Sequence, residues 1–354
     1  METVLVRETE HLEWADILKG LGILTVVWGH AGSKISFYMF WFHMPLFFWI
    51  SGYLYRFKPR QKGIHFPMRK AKHLMVPYLF YLGLLTLLVI AFDFWKGQSV
   101  VQFWSQNWKA LLLGGSLLEG VYATFWFTTC LFSVQIVYDL LCRKVSSPLL
   151  KGLFVLGCFF SAYWESRYRA SAFMPWNLDV GLYAIVFYAL GHVMRRNKLL
   201  EEAKLRKIVF GLSWIIALGF IYLYAHHVLD YGLDMKHRQY YYFGTNLLLP
   251  IAFTLLLVQF SMALTRIRSV NQGLSYIGKA AMVIMYLHLG FVYAAGHFFA
   301  ITPVRFFVVG TVGPLLFYKA IQYVPYGPYL ALGDSSRGFR HSNLGSNSFP
   351  NTTA

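Results

Sequence analysis

Long apolar runs alternate with short polar loops from residue 15 to residue 323. Windows near 15–33, 38–55, 74–93, 124–142, 149–164, 178–195, 208–226, 245–264, 280–299 and 303–323 are each dominated by apolar residues. They approach the roughly 20 residues that a helix needs to cross a bilayer. The pattern predicts an all-α, polytopic integral membrane protein with about ten transmembrane helices. Residues 100–118 are different in kind. Polar and apolar positions are mixed there (Val-Val-Gln-Phe-Trp-Ser-Gln-Asn-Trp-Lys), and Gly114 and Gly115 interrupt the run. This segment reads as re-entrant or interfacial. The organisation expected is a cytoplasmic N-terminal segment at 1–14, a transmembrane domain at 15–325 and a cytoplasmic tail at 326–354. The tail is rich in Ser, Asn and Gly, a composition that predicts disorder.

Composition agrees with this class. Hydrophobic residues make up 57% of the chain and charged residues 13%, about half the charge of a soluble domain. The formal net charge of +17 would suit a nucleic-acid partner in a soluble protein, but its distribution argues otherwise. Basic residues concentrate in alternate loops, at Arg56 to Lys72, Arg143 to Lys151, Arg195 to Lys207 and Arg266 to Lys279, and are sparse in the loops between. The positive-inside rule then places both termini in the cytoplasm of a multi-pass cell-membrane (inner or plasma membrane) protein. The polar start Met1 to Glu13 lacks the layout of a cleavable signal peptide. Cys130, Cys142 and Cys158 all fall in apolar segments, so neither a disulfide framework nor a metal site is expected. No dinucleotide fingerprint, phosphate-cradling glycine loop or HExxH motif is present.

Candidate chemistry begins in the first apolar window. Lys19 and His30 are eleven residues apart, close to three helical turns and about 16 Å of rise, so they share one face. Ionisable groups at membrane depth are costly and normally face a working interior. Asp16, three residues before Lys19, can pair with it. For Lys19 the plain alternative is snorkelling to the interface. The second window opens Phe42-His43-Met44-Pro45-Leu46-Phe47-Phe48 and continues to Ser51-Gly52. A hairpin of these two helices brings His30 and His43 to the same end, where a neutral imidazole suits a general base. The plain alternative is that each ring packs between helices and bonds a backbone carbonyl. Arg69 and Lys72 stand where the third helix begins. With Lys19 they make an anion pocket fit for nucleotide phosphates, whereas Arg56 to Lys62 need only anionic lipid. Phe125-Trp126-Phe127 offers aromatic faces for a sugar or an acyl chain, packing being the commoner use. Glu119, Glu165, Arg167 and Asp179 lie on the outer side, where a carbohydrate acceptor would be gripped. His288, in mid-helix after Ser275 to Lys279, should face the interior.

These stretches together resemble the bacterial membrane acyltransferase-3 family, and in particular its single-domain, fucose 4-O-acetylase-like members. The likeness rests on Lys19 to His30, Phe42 to Gly52, Phe125 to Phe127 and Ser275 to His288, in order over about residues 13 to 320. It implies an acetyl-CoA-dependent O-acyltransferase acting on a hydroxyl of a cell-surface sugar or polysaccharide. Acetyl-CoA enters as donor substrate, with no bound cofactor. Catalytic roles pass to His30 and His43, acyl-CoA binding to Lys19, Arg69 and Lys72, and support to Asp16, Trp126 and His288. Where this chain has Lys72 the family pattern often has a second Arg. The partners expected are acyl-CoA, a carbohydrate, the bilayer and glycan-synthesis machinery, with no nucleic acid. The alternative from another class is a transporter or flippase for a glycan or lipid-linked sugar. Such proteins often show internal repeats, and the Lys19–His30 pattern has no echo in the second half.

Overall fold

The structure, a computed structural model, describes residues 12–58, 63–169, 174–240 and 242–334. Its described residues fold as helices joined by short loops. In chain order these are α1 (Glu13–Gly29), α2 (Ser36–Met39), α3 (His43–Tyr53), α4 (His65–Lys70), α5 (Val76–Trp95), α6 (Val100–Leu113), α7 (Trp126–Lys144), α8 (Pro148–Tyr168), α9 (Leu178–Arg196) and α10 (Ala203–Ala225). There follow α11 (Thr245–Leu264), α12 (Arg268–Lys279), α13 (Ala281–Ala295), α14 (Pro303–Ile321) and α15 (Gly327–Leu332). Among the described residues the only strand-like pairing reported is a single bridge between Asp234 and Gln239.

Local chemistry sets several boundaries. The Ser99 hydroxyl caps α6 by accepting from the Gln102 amide, and the helix stops at Gly114 in the left-handed region, φ +64°. Ser147 before Pro148 and Thr302 before Pro303 start α8 and α14 in the same way, with a capping hydroxyl and a proline whose missing N–H is no loss in the first turn. A π-turn at Ala71–Met75 joins α4 to α5, making one apolar helix over His65–Trp95.

Among the described residues six helices are long and apolar enough to cross a membrane, or seven if the bent pair α12–α13 is one span. Ten are not reached by this standard, for reasons visible in the chain. α1 has 17 residues and α3 has 11, because His30 ends the first helix and the second begins only at His43. α8 carries Lys151 and Glu165 within its length. α13 has 15 residues and meets α12 at 72°. The segment 100–118 is the amphipathic helix α6, followed by single 3₁₀ turns at Gly115–Leu117 and Gly120–Tyr122.

The short helices α1 and α3 form the centre, and longer helices surround them. α1 packs on α12, α11, α14 and α3, and α3 packs on α9. Ile17, Leu18, Ile23, Val26, Val27, Leu46, Phe48 and Trp49 are fully buried there, while Leu79, Leu87, Leu149 and Ile215 on the long helices are exposed, as expected of lipid-facing positions. Glycines permit the central crossings. A Cβ on Gly278 would lie 1.9 Å from the Asp16 carbonyl oxygen, and one on Gly20 would lie 2.3 Å from that of Leu274. Gly52 meets the Tyr188 carbonyl and Gly191 that of Trp49 in the same way. Close backbone approach at small residues is the usual basis of helix association in membranes.

The expected disordered tail starts differently. Residues Gly327–Leu332 form α15, which packs against α5 and ends at Gly333, whose positive φ lets the chain lie against the backbone of Lys72 and His73. The apolar run Pro328, Leu330, Leu332 has a surface to cover, which the Ser- and Asn-rich composition beyond it lacks. Residues 335–354 and 1–11 lie outside the described residues, as do Arg60 and Lys62.

Candidate active site

Two cavities lie along α1, one at each end. The cavity at the His30 end has a volume of about 230 Å³ and is lined by His30, His43, Trp126, Glu119, Asp234 and His237, among others. The cavity at the Lys19 end, about 440 Å³, is lined by Lys19, Lys279, Ser51, Gln135, Phe47 and Phe127, among others. Met285 lines both.

His30 and His43 line the first cavity, and His288 packs against His30. His43 is 1% exposed and His288 is fully buried. The rings of His30 and His288 meet edge to face at 5.2 Å, and the Phe40 ring bridges His30 and His43 at 5.6 and 4.9 Å. A Cβ on Gly29 would stand 3.4 Å from Phe40 and 3.6 Å from His43, in ordinary contact with both rings. In each case Nδ1 lies within hydrogen-bond reach of a carbonyl one turn back. His30 reaches Val26 at 2.9 Å, His43 reaches Met39 and His288 reaches Ile284 at 2.8 Å. A carbonyl only accepts, so Nδ1 must donate, and the proton of a neutral ring is fixed there. Nε2 is therefore the basic nitrogen of all three rings, and that of His288 is buried without a partner. The plain packing reading thus accounts for one nitrogen of each ring and leaves the other free for proton chemistry. Among the described residues, no group of three or more His, Cys, Asp and Glu is placed to hold a metal ion.

The opposite wall comes from the loop between α10 and α11. Arg238 is buried and reaches Asp179 at 2.7 Å and Glu165 at 3.6 Å. Its carbonyl accepts from Ser166, and Asn177 donates to the carbonyl of Lys236 at 3.2 Å. Lys236 donates to Glu119 and to the Leu118 carbonyl, both at 2.7 Å. Thus Glu165 and Asp179 pin the loop and do not line the cavity, while Arg167 is exposed. Of the four residues expected to grip an acceptor, Glu119 alone is on the cavity wall. Arg238→Met is expected to cost about 3–5 kcal/mol, the usual result of leaving buried charges without their partner. The melting temperature of the detergent-solubilised protein measures it, and an unchanged value rejects the pinning role.

Asp234 and His237 face the cavity as a pair, Oδ2 to Nδ1 at 2.8 Å, with His237 Nε2 3.5 Å from Glu119. The hydrogen bond to Asp234 holds the His237 imidazole above its ordinary range, against burial. Burial acts to raise the Asp234 carboxyl, but bonding to His237 outweighs it and holds that group below the usual carboxylate range. His237 therefore contributes full stability below about pH 6.5 and loses it as pH rises through its raised value. Asp234 contributes above about pH 3.8 and loses it as pH falls through its lowered value. Protection of the His237 and Tyr240 amides, taken relative to the base-catalysed exchange rate of a free peptide at each pH, is expected to be greatest between these limits and to fall towards alkaline pH. A flat profile counts against the pair.

At the other end Lys19 lies 2.5 Å from Asp16, which is 6% exposed. The Gln135 amide donates to the Ser51 hydroxyl at 2.7 Å, a polar contact in an otherwise mainly apolar cavity. Arg69 is half-buried with its guanidinium 5.6 Å from the Phe66 ring, and Lys72 is exposed. Neither lines the cavity, although Leu74 from the same segment does. Lys279 joins Lys19 there instead. The sequence placed Lys279 among the basic loop residues and gave no separate prominence to Lys236 or His237. The Asp-x-x-His spacing at 234–237 was the signal available for that pair, while Met285, Thr124 and Gln135 gave none. Trp126 is buried and lines the cavity beside the histidines.

The acyltransferase-3 family model, described as an acyltransferase domain, matches residues 12–318. No curated protein and no solved structure matches the chain.

Proposed function

This chain belongs to the acyltransferase-3 family, and from that premise we propose that it moves an acetyl group from acetyl-CoA to a hydroxyl of a cell-surface sugar or polysaccharide. One observation carries the reading. A single helix, α1, with its C-cap residue presents Lys19 to one cavity and His30 to another, and Met285 lines both cavities.

The donor enters the larger cavity from the cytoplasm. Lys19, with Arg69 and Lys72 at the mouth and Lys279 beside it, attracts the phosphates, Arg as a planar fork and Lys as point charges. The pantetheine arm lies along α1, whose rise from Lys19 to His30 is about 16 Å, and brings the thioester to Met285. The acceptor hydroxyl approaches from the His30 side, between the histidines and the wall formed by Glu119, Asp234 and His237. His30 Nε2 takes the hydroxyl proton as the oxygen attacks the thioester carbon. The C–O bond forms, the C–S bond breaks, and the proton passes from His30 to the departing CoA thiolate. His43 orients the hydroxyl, and His288 supports His30 from behind.

Calorimetry with CoA on protein in nanodiscs tests the donor end. Lys19→Met is expected to weaken binding about tenfold, the range of one charge-assisted hydrogen bond, and Arg69→Ala to raise the donor KM with a smaller effect on kcat. Unchanged values for both variants reject the phosphate role.

A further inference from the structure

The wall opposite His30 and His43 is built from three segments that lock one another. Gly115, at φ +63°, lets the loop before α7 run against Asn177, since a Cβ there would lie 2.5 Å from Asn177 Oδ1. Asn177 donates to the Lys236 carbonyl, and the Lys236 ammonium returns to the first loop, donating to the Leu118 carbonyl and to Glu119 Oε1. Asp234 and Gln239 exchange backbone hydrogen bonds at 3.1 and 2.8 Å, which closes the turn that carries Lys236 and His237. A wall held in this way need not be ordered when a ligand arrives.

Its charged groups are not equally available. The Lys236 side chain is 9% exposed, and its ammonium is turned to Glu119 and Leu118. Asp234 has both oxygens engaged by His237, Oδ1 by the backbone N–H at 3.2 Å and Oδ2 by Nδ1 at 2.8 Å. His237 Nε2 stands 3.5 Å from Glu119 Oε1, so a proton there already faces a carboxylate. Glu119 is different. Its side chain is 65% exposed, and among the described residues its polar contacts go to Oε1 alone. Across the cavity His43 is 1% exposed, and its Nε2, like that of His30, has no partner among the described residues. Both nitrogens are acceptors, because Nδ1 carries the ring proton. The cavity thus offers acceptors from two sides, with Phe40 and Trp126 adding aromatic surface. Its ligand must bring donors. Sugar hydroxyls do so, whereas a carboxylate or phosphate only accepts and would meet lone pairs and an uncompensated anionic oxygen. We propose that this cavity takes an uncharged sugar residue, one hydroxyl on His30 and another on Glu119, and turns away residues that carry a carboxylate or phosphate. The inference rests on the acyl-transfer reading above and narrows its acceptor.

The test uses cells whose surface glycan contains both uncharged hexoses and uronic acids, with acetyl groups located residue by residue by tandem mass spectrometry. The wild type should acetylate the hexoses at least about tenfold more than the uronic acids, the lower end of what one hydrogen bond to a charged group contributes. Glu119→Gln keeps an oxygen for Lys236 and removes the charge. It should lower total acetylation about tenfold and erase the preference, while CoA affinity, measured by calorimetry in nanodiscs, stays at the wild-type value and reports a folded protein. The wild-type distribution decides the charge class whether or not the variant is recovered. Acetyl shared equally between the two residue types, or carried mainly by uronic acids, overturns the inference and leaves acyl transfer standing. A Glu119→Gln variant with wild-type acetylation and preference removes Glu119 from the acceptor site and overturns it likewise. Glycan without acetyl, from cells whose wild-type protein is inserted and binds acetyl-CoA, overturns the acyl-transfer reading and this inference with it.

Discussion

His30→Ala is expected to lower acyl transfer by about 10²–10⁴-fold, the range a positioned general base contributes, while the protein still inserts, folds and binds CoA. The expectation follows from what the ring does in the fold. Its Nδ1 bond to the Val26 carbonyl adds to the bond that the His30 backbone N–H makes to the same carbonyl at the end of α1, and the backbone bond survives the substitution. The packing cost is therefore modest and the chemical loss large. His30→Asn separates the two, because its amide can still donate towards Val26 yet cannot accept a proton as a base. It should be as inactive as His30→Ala. Transfer near the wild-type rate in either variant removes His30 from the mechanism and leaves His43 as the candidate base on the same cavity wall.

The second large effect is on assembly. Gly278→Ala and Gly52→Ala are each expected to cost beyond about 3 kcal/mol, the upper part of the range for overpacking, and to yield little monodisperse protein. Each new Cβ would fall 1.9 Å from a backbone carbonyl oxygen, of Asp16 in one case and Tyr188 in the other. Backbone cannot rotate aside as a side chain can, so α12 must move off α1, or α9 off α3. Separating α12 from α1 would displace Lys19 and Lys279 from one wall, so donor binding should fail with stability. Gly211→Ala supplies the contrast. Nothing lies within 4 Å of a Cβ there, and alanine is the better helix former by about 0.5–1 kcal/mol. Equal thermal stability across the three variants would mean that the central crossings are looser than described.

How much of this was written legibly in the chain depends on the kind of information. Apolar runs announced an all-α membrane protein, because hydropathy is a local property. They pointed to about ten spans, whereas six or seven of the described helices meet a standard of length and hydropathy, because a helix buried by neighbours on every side can be as apolar as one that crosses lipid. α3, with 11 residues and Phe48 and Trp49 fully buried, is the clear case. The register of Lys19 and His30 was legible from helical geometry, and the Asp16 pairing from its spacing of three. The acceptor-side wall was not. Glu165 and Asp179 offered the same chemistry as Glu119, and only the fold shows that Arg238 takes both and leaves Glu119 on the cavity. Met285 carried no signal either, since a methionine in an apolar helix is indistinguishable from core until two cavities are seen on either side of it.

The decisive test compares surface carbohydrate from cells that carry the protein, its His30→Ala variant or neither, by mass spectrometry before and after mild alkali. The mechanism predicts glycans heavier by one acetyl group with the wild type alone, the increment being released by alkali as an ester should be. Identical glycan masses in all three cell lines, with the wild type correctly inserted and binding acetyl-CoA, would contradict transfer of an acetyl group to a surface sugar.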